Sequence, residues 1–169
     1  MTDKIVTAKE ALSTLSDGAC IAANFWGPGT PTYLWRTLFN TDVKDLTVCI
    51  NNYVAKTLTL REIGSPDPTL LLSRTKKIIT AFTARPREDL PVVAEMMKRI
   101  QEGTLEIESV SHGLLVERLL AGALRQGGFY SPLGIGTIIE KGREKRTING
   151  QDYIFQEPIV PDVGLISAA

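Results

Sequence analysis

Residues 46–50 read LTVCI and residues 77–82 read KIITAF, short runs in which apolar and polar positions barely alternate. A strand wetted on one face shows a period of two. A strand that is apolar on both sides has to be covered on both, the habit of parallel sheets flanked by helices. Residues 19–24 (ACIAAN) and 163–166 (VGLI) repeat the pattern, and a shorter run at 105–107 (LEI) reads as one more strand. Between these runs the spacing turns helical. A Thr7–Glu10 capping box opens a helix over 7–15. Thr30 is placed to cap, and Pro31 to start, the helix TYLWRTLF. Residues 91–101 carry Val92, Val93, Met96, Met97 and Ile100 at helix spacing with Gly103 as the stop. Ser111 caps GLLVERLLAGAL, whose apolar face is read as Leu115, Leu119 and Leu120. The alternation of the two kinds of segment predicts an α/β chain: a largely parallel, doubly wound sheet with helices on both faces.

Two segments stand outside that rhythm. Residues 145–158 form a β-hairpin in outline, with Asn149-Gly150 suited to a type I′ turn, and this extension is expected at the fold's edge. Residues 127–137, GGFYSPLGIGT, read as a glycine-rich loop leading into a strand at 137–140; the segment around GSPDP reads as another loop. No repeat, low-complexity tract or domain boundary interrupts the chain, which is expected to be one domain over 1–169.

Lysine plus arginine equals aspartate plus glutamate at 19 each, so charge points to neither nucleic acid nor an anionic membrane as partner. No apolar run is long enough to span a bilayer, and the charged N-terminus is unlike a signal peptide, so a cytoplasmic protein is expected. Cys20 and Cys49 sit in apolar runs and read as buried free thiols rather than a disulfide. His112 is the single histidine, and no group of Cys, His and carboxylates surrounds it in sequence; no metal site is expected. No nucleophile elbow is present. Glu106 and Glu108 alternate on a short strand toward solvent, and the charged run 140–146 reads as a solvated strand and turn.

Ligands of doubly wound sheets lie beyond the carboxyl ends of the strands. Three unusual stretches fall there: NFWGPGTP with Phe25, Gly27 and Gly29, the pair Asn51-Asn52, and Ser111-His112-Gly113. Taken in order, these motifs resemble the alpha subunit of family I CoA-transferases, the group that includes 3-oxoacid CoA-transferases. DGACIAANFWGPGTP is similar to the family's N-terminal signature at Asp17, Gly18, Phe25, Gly29 and Pro31. Asn51-Asn52, RTKKIITAF, the helix with Glu117-Arg118, FYSPLGIGT and NGQDYIFQEPIVPDVGLI follow in the family's order. The resemblance covers nearly the whole chain. It departs at Ala23-Asn24, where the family has paired glycines, and at His112, where the 3-oxoacid branch has a glutamine amide. Family alpha subunits continue past the last strand read here, so a C-terminally shortened domain is expected.

The resemblance implies a CoA-transferase/NagB-RpiA-like fold and the alpha subunit of an enzyme active only with a beta subunit, as a heterodimer or heterotetramer. CoA would move from an acyl-CoA to a small carboxylic acid through a glutamyl thioester on the partner. No catalytic nucleophile is then expected in this chain, and coenzyme A is a substrate rather than a resident cofactor. The alpha side would supply a wall. His112 would donate from a ring nitrogen to developing negative charge, with Gly113 beside it in the substrate-binding or oxyanion set, and Asn51 and Asn52 would be donors and acceptors for the acid. Phe129 and Tyr130 would exclude water, while Gly134 and Gly136 would let the backbone come close to the partner's glutamate or to the acyl group. A non-catalytic assembly subunit, and part of an acyl-CoA hydrolase or lyase of the same fold, are the other readings.

Overall fold

The computed structural model describes residues 4–23, 30–52, 68–82 and 91–167. Five strands run parallel: β1 (Cys20–Ala23), β2 (Leu46–Asn52), β3 (Thr75–Phe82), β4 (Glu106–Ser109) and β8 (Val163–Leu165). Their order is β4-β3-β2-β1-β8. The chain therefore steps outward from β1 to β4 and returns to the opposite side of β1. Helices α1 (Ala8–Leu12), α2 (Thr32–Phe39), α3 (Pro68–Arg74), α4 (Pro91–Gln101) and α5 (His112–Ala123) lie between the strands.

Both faces of the sheet are buried, and the strand period sorts the side chains between them. Ile21, Val48, Ile50 and Ile78 meet Leu12 of α1, Trp35 and Leu38 of α2, Leu71 and Leu72 of α3, and Val92, Val93 and Met96 of α4. Cys49 and Ile79 point to the other face, where Leu114 and Leu115 of α5 cover them. Thr7 and Glu10 cap α1 reciprocally as expected, although the helix ends at Leu12. Ser111 Oγ accepts from the Leu114 amide, and Gly103, at φ 69°, ends α4.

Several expectations need correction. Helix α2 begins one residue later than the proline rule implies: Pro31 is its N-cap, and no side chain caps it. Helix α3 was hidden because PTLLLSR is short and follows loop-forming residues; its Leu71 and Leu72 are fully buried. Asn51 and Asn52 belong to β2 rather than following it. Residues 137–140 are a 3₁₀ turn, Ile138–Glu140, with Thr137 Oγ1 accepting from the Ile139 amide. Leu120 is exposed, and Arg118 occupies the inner face of α5 in its place.

The hairpin is real, with Asn149 at φ 53° and Gly150 at φ 79° giving the type I′ turn. It does not extend the parallel sheet. Strands β6 (Lys145–Ile148) and β7 (Gln151–Gln156) join β5 (Phe129–Ser131), a segment whose glycines read as loop, in a separate antiparallel sheet ordered β5-β7-β6. Phe129, Leu133 and Ile139 pack into the second core cluster beside α5.

A carboxylate ties the two sheets together. Glu108 faces inward rather than toward solvent. It is bonded to Arg118 of α5, lies 2.9 Å from Lys77 of β3, and is 3.3 Å from Arg143, just before β6. Arg143 thereby leaves the solvated run in which its sequence places it. Arg118 is 4% exposed and also donates through Nε to the Glu157 carbonyl at 2.7 Å. Burial would raise the Glu108 pKa, but hydrogen bonds from Lys77 and Arg118 outweigh it and hold the group below its ordinary 4.5. A depressed carboxylate stabilises the fold above its unfolded pKa and ceases to do so as pH falls through the native value. Glu108→Gln should therefore cost about 3–5 kcal/mol at pH 7. The gap between the two proteins in thermal melts should close as pH drops below about 4.5.

Gln156 presents the reverse case. It is fully buried on β7, and among the described residues neither amide atom has a hydrogen-bond partner. An orphaned buried amide costs stability, so Gln156→Met should raise the urea-unfolding free energy by about 1–2 kcal/mol.

Candidate functional site

The strand order reverses between β1 and β8, and there the carboxyl edge of a doubly wound sheet opens into a crevice. A pocket of about 300 Å³ occupies it. Its floor is Ala22 and Ala23 of β1, Cys49 to Asn51 of β2 and Gly164 to Ile166 at the end of β8. Its wall is His112, Leu115, Val116 and Leu119 of α5. Two hollows of about 430 Å³ flank α2, one of them sharing Ile166 with this pocket. The second lies along the α2 surface between Lys9 and Arg36, away from the sheet edge.

Asn51 enters the pocket because β2 alternates: Cys49 and Asn51 share the α5 side, while Asn52, 9% exposed, takes the opposite one. The Asn51 carbonyl accepts from Thr80 Oγ1 at 3.1 Å. Its side-chain Oδ1 is buried with no hydrogen-bond partner among the described residues. Such an atom is costly unless a ligand or solvent satisfies it.

His112 arrives from the other direction, as the first residue of α5. Its ring stands edge-on to Phe82 at the end of β3, with centroids 6.1 Å apart and planes at 77°. The first bonds of the helix reach Leu114 and Leu115, so the amides of His112 and Gly113 lie outside its ladder. A helix N-terminus carries partial positive charge, and this one opens at the sheet edge. A Cβ on Gly113 would come 3.1 Å from Leu133, which packs the following loop against this helix end.

Of the residues singled out from sequence, Asn51 and His112 both line the pocket, and Gly113 follows His112 in α5. Phe25, Gly27 and Gly29 lie outside the described residues. Phe129 packs into the core. Tyr130 takes the outer face of the small sheet. There its ring meets Phe155 at 5.4 Å, its hydroxyl donates to Glu144 at 2.6 Å, and the Arg146 guanidinium sits 5.0 Å from its centroid. Gly134 and Gly136, at φ 93° and 73°, serve the turn itself. The Gly134 carbonyl accepts from Thr137, the Gly136 amide donates to Glu140 at 2.6 Å, and a Cβ on Gly134 would stand 2.8 Å from Ile139.

Cys49, Leu115, Val116, Leu119 and Ile166 were not foreseen as lining. The signals existed: period two from Asn51 back to Cys49, and helical spacing from His112 to Leu115, Val116 and Leu119. Cys49 is the one thiol in the pocket. Burial pushes it up to about 12, with Cys20 adding to the rise, so it is a thiol and not a nucleophile at neutral pH. Both cysteines are free, as expected. Among the described residues no group of three or more His, Cys, Asp or Glu could hold a metal ion, and no helix is long and apolar enough to cross a membrane. In the folded protein at pH 8, iodoacetamide should leave Cys49 unmodified for hours, while 6 M guanidinium should expose it within minutes; peptide mass mapping distinguishes the two.

Comparison with known proteins extends this geometry. The sequence model for coenzyme A transferase matches residues 5–169. The chain is 29% identical to the acetate CoA-transferase subunit alpha of Escherichia coli strain K12, over 99% of its own length and 71% of that protein's. It is 31% identical to the acetoacetyl-CoA:acetate/butyrate CoA transferase alpha subunit of Clostridium acetobutylicum, over 100% of this chain and 72% of that one. Among solved structures, a variant of the AibA/AibB decarboxylase superposes with a TM-score of 0.68 at 18% identity, covering 94% of this chain. Glutaconate coenzyme A-transferase from Acidaminococcus fermentans gives 0.67 at 19% identity, covering 96%. These two share the fold, and this chain spans 60% and 55% of their respective lengths.

Proposed function

The chain belongs to the coenzyme A transferase family, and on that premise we propose that it acts as the alpha subunit of an enzyme moving CoA between an acyl-CoA and a small carboxylic acid. The observation that carries this reading is the composition of the switch-point pocket. It offers an unsatisfied amide oxygen at Asn51, an imidazole at His112 and the open amino end of α5, and among the described residues its lining contains no carboxylate and no ionised thiol. Such a surface binds and polarises; it does not attack.

The attacking group then comes from a beta subunit, as a glutamate. Its carboxylate adds to the thioester carbonyl and expels CoA as thiolate, leaving a mixed anhydride. The thiolate returns to the glutamyl carbonyl, releasing the first acid and forming a glutamyl thioester. A second acid runs the steps in reverse. Each addition places negative charge on a former carbonyl oxygen. The His112 ring and the amides of His112 and Gly113 are donors for that charge, held by a helix that does not have to reorganise. Asn51 orients the acid or the amide-bearing arm of CoA. The apolar wall of Leu115, Val116 and Leu119 keeps water from a hydrolysable thioester. Coenzyme A passes through as substrate, and no permanently bound cofactor is invoked. Two free thiols accord with a cytoplasmic setting.

The test is reconstitution with a purified beta-type chain bearing the family's glutamate, followed by exchange of CoA between two acids. The mixture should turn over and the chain alone should not. Release of free CoA without an acceptor acid would instead mark a hydrolase, and a stable but inert mixture an assembly subunit. His112→Gln, which restores an amide donor, should keep kcat within about tenfold, whereas His112→Ala should lose about 10²–10³.

A further inference from the structure

The pocket owes its depth to what stands beside Cys49. Strand register aligns Gly164 of β8 with Ala22 of β1, and Ala22 with Cys49 of β2, so one row across the sheet carries a hydrogen, a methyl and a thiol. The next residue of that row, Ile79 of β3, is full-sized and packs under α5. Paired residues of parallel strands share a face, and Cys49 identifies this face as the one beneath α5. The backbone at Gly164 does not demand glycine: its φ is not positive, and a Cβ built there meets no described atom within 4 Å. Glycine weakens a strand interior. The open space over Gly164 is the pocket itself, whose lining includes Gly164, Ala22 and Cys49. Asn51 lies two residues nearer the carboxyl edge than Cys49, about 7 Å along the strand. On the opposite wall His112 stands at that edge, with Leu115 and Leu119 one and two helical turns deeper. The slot is therefore polar at its mouth and apolar over the small row, where burial keeps the Cys49 thiol neutral.

We propose that Gly164, Ala22 and Cys49 set the length of acyl chain that the slot admits, and that its substrate class is the short, straight-chain monocarboxylic acids. This inference rests on the transferase reading above. The carboxyl group of the acid, or the thioester carbonyl made from it, lies at the Asn51 and His112 end. The terminal methyl lies over the small row, between Leu115 and Leu119. A dicarboxylic acid of equal length would put its second carboxylate there, against methyl groups and a neutral thiol, and an unpaired charge is costly to bury. Against such a floor, one methylene more or less changes selectivity by about 10–200-fold.

The full chain reconstituted with a beta-type chain tests this, with acetate, butyrate, hexanoate and succinate compared as acceptors by kcat/KM. Butyrate should exceed succinate by at least about a hundredfold. Gly164→Val puts its side chain into open space, so the variant should melt within about 2 °C of the unaltered chain. It should lower butyrate relative to acetate at least about tenfold, and Cys49→Ala should raise hexanoate relative to butyrate about tenfold. Cys20→Ala, on the same face but one row away, should leave the chain-length profile as it is. A profile unmoved by both Gly164→Val and Cys49→Ala, or succinate used as well as butyrate, overturns the proposal and leaves the transferase reading standing. If the complex exchanges no CoA, nuclear Overhauser contacts from the methyl of bound butyrate to the Leu115 and Leu119 methyls decide. Contacts that disappear in Gly164→Val would keep the slot and sink the transferase reading; their absence from the unaltered complex would overturn both.

Discussion

Burial of β1, β2 and β3 on both faces is the constraint from which the remaining architecture follows. Val48 and Ile50 need one cover, Cys49 another, and neighbouring strands repeat the demand with Ile21 and Ile78 on one side and Ile79 on the other. Four helices satisfy the first face. The second is left to α5 and the small antiparallel sheet, which explains why the hairpin is set against a core rather than against the open edge of the parallel sheet. With the covers divided in this way, the chain has to return on the far side of β1, and the return creates the crevice between β1 and β8.

Glu108 joins these covers. A carboxylate buried among Lys77, Arg118 and Arg143 is weak as a source of net stability, because desolvation offsets much of the attraction. Its directional value is larger. It fixes α5 in rotation by holding Arg118, and it holds the strand entry at Arg143. That rotation has two results. It presents Leu115 and Leu119 to the pocket wall, and it turns Val116, Leu120 and Leu124 outward. Pocket wall and exposed apolar row are thus opposite consequences of one helix orientation, with Val116 common to both.

Much of this was legible beforehand. Apolar runs, capping residues at Thr7 and Ser111, and the Asn149-Gly150 turn announced their elements through local chemistry, since each depends on residues within a few positions of one another. The misreadings share a cause. Helix α3, the strand β5 and the turn at residues 138–140 are short, and a three- to seven-residue segment takes its conformation from what it packs against. Glu108 and Arg143 looked like surface charges because nothing local reveals that residues 77, 108, 118 and 143 converge. Of the residues singled out at strand and helix ends, Asn51 and His112 line the pocket, while Tyr130 lies on the outer face of its sheet. Phe129 and Tyr130 are adjacent in a strand, and adjacent strand residues cannot share a face.

The amino-acid sequence by itself determined the α/β class, the parallel character of the main sheet and the family to which the chain belongs, because two-sided apolar runs and ordered motifs are properties of neighbours along the chain. Only the tertiary structure decided that Asn51 rather than Asn52 faces the pocket, that Gly134 and Gly136 serve their own turn, and that α5 turns its charges inward. Those outcomes depend on strand register and helix rotation, which are set by packing between residues tens of positions apart.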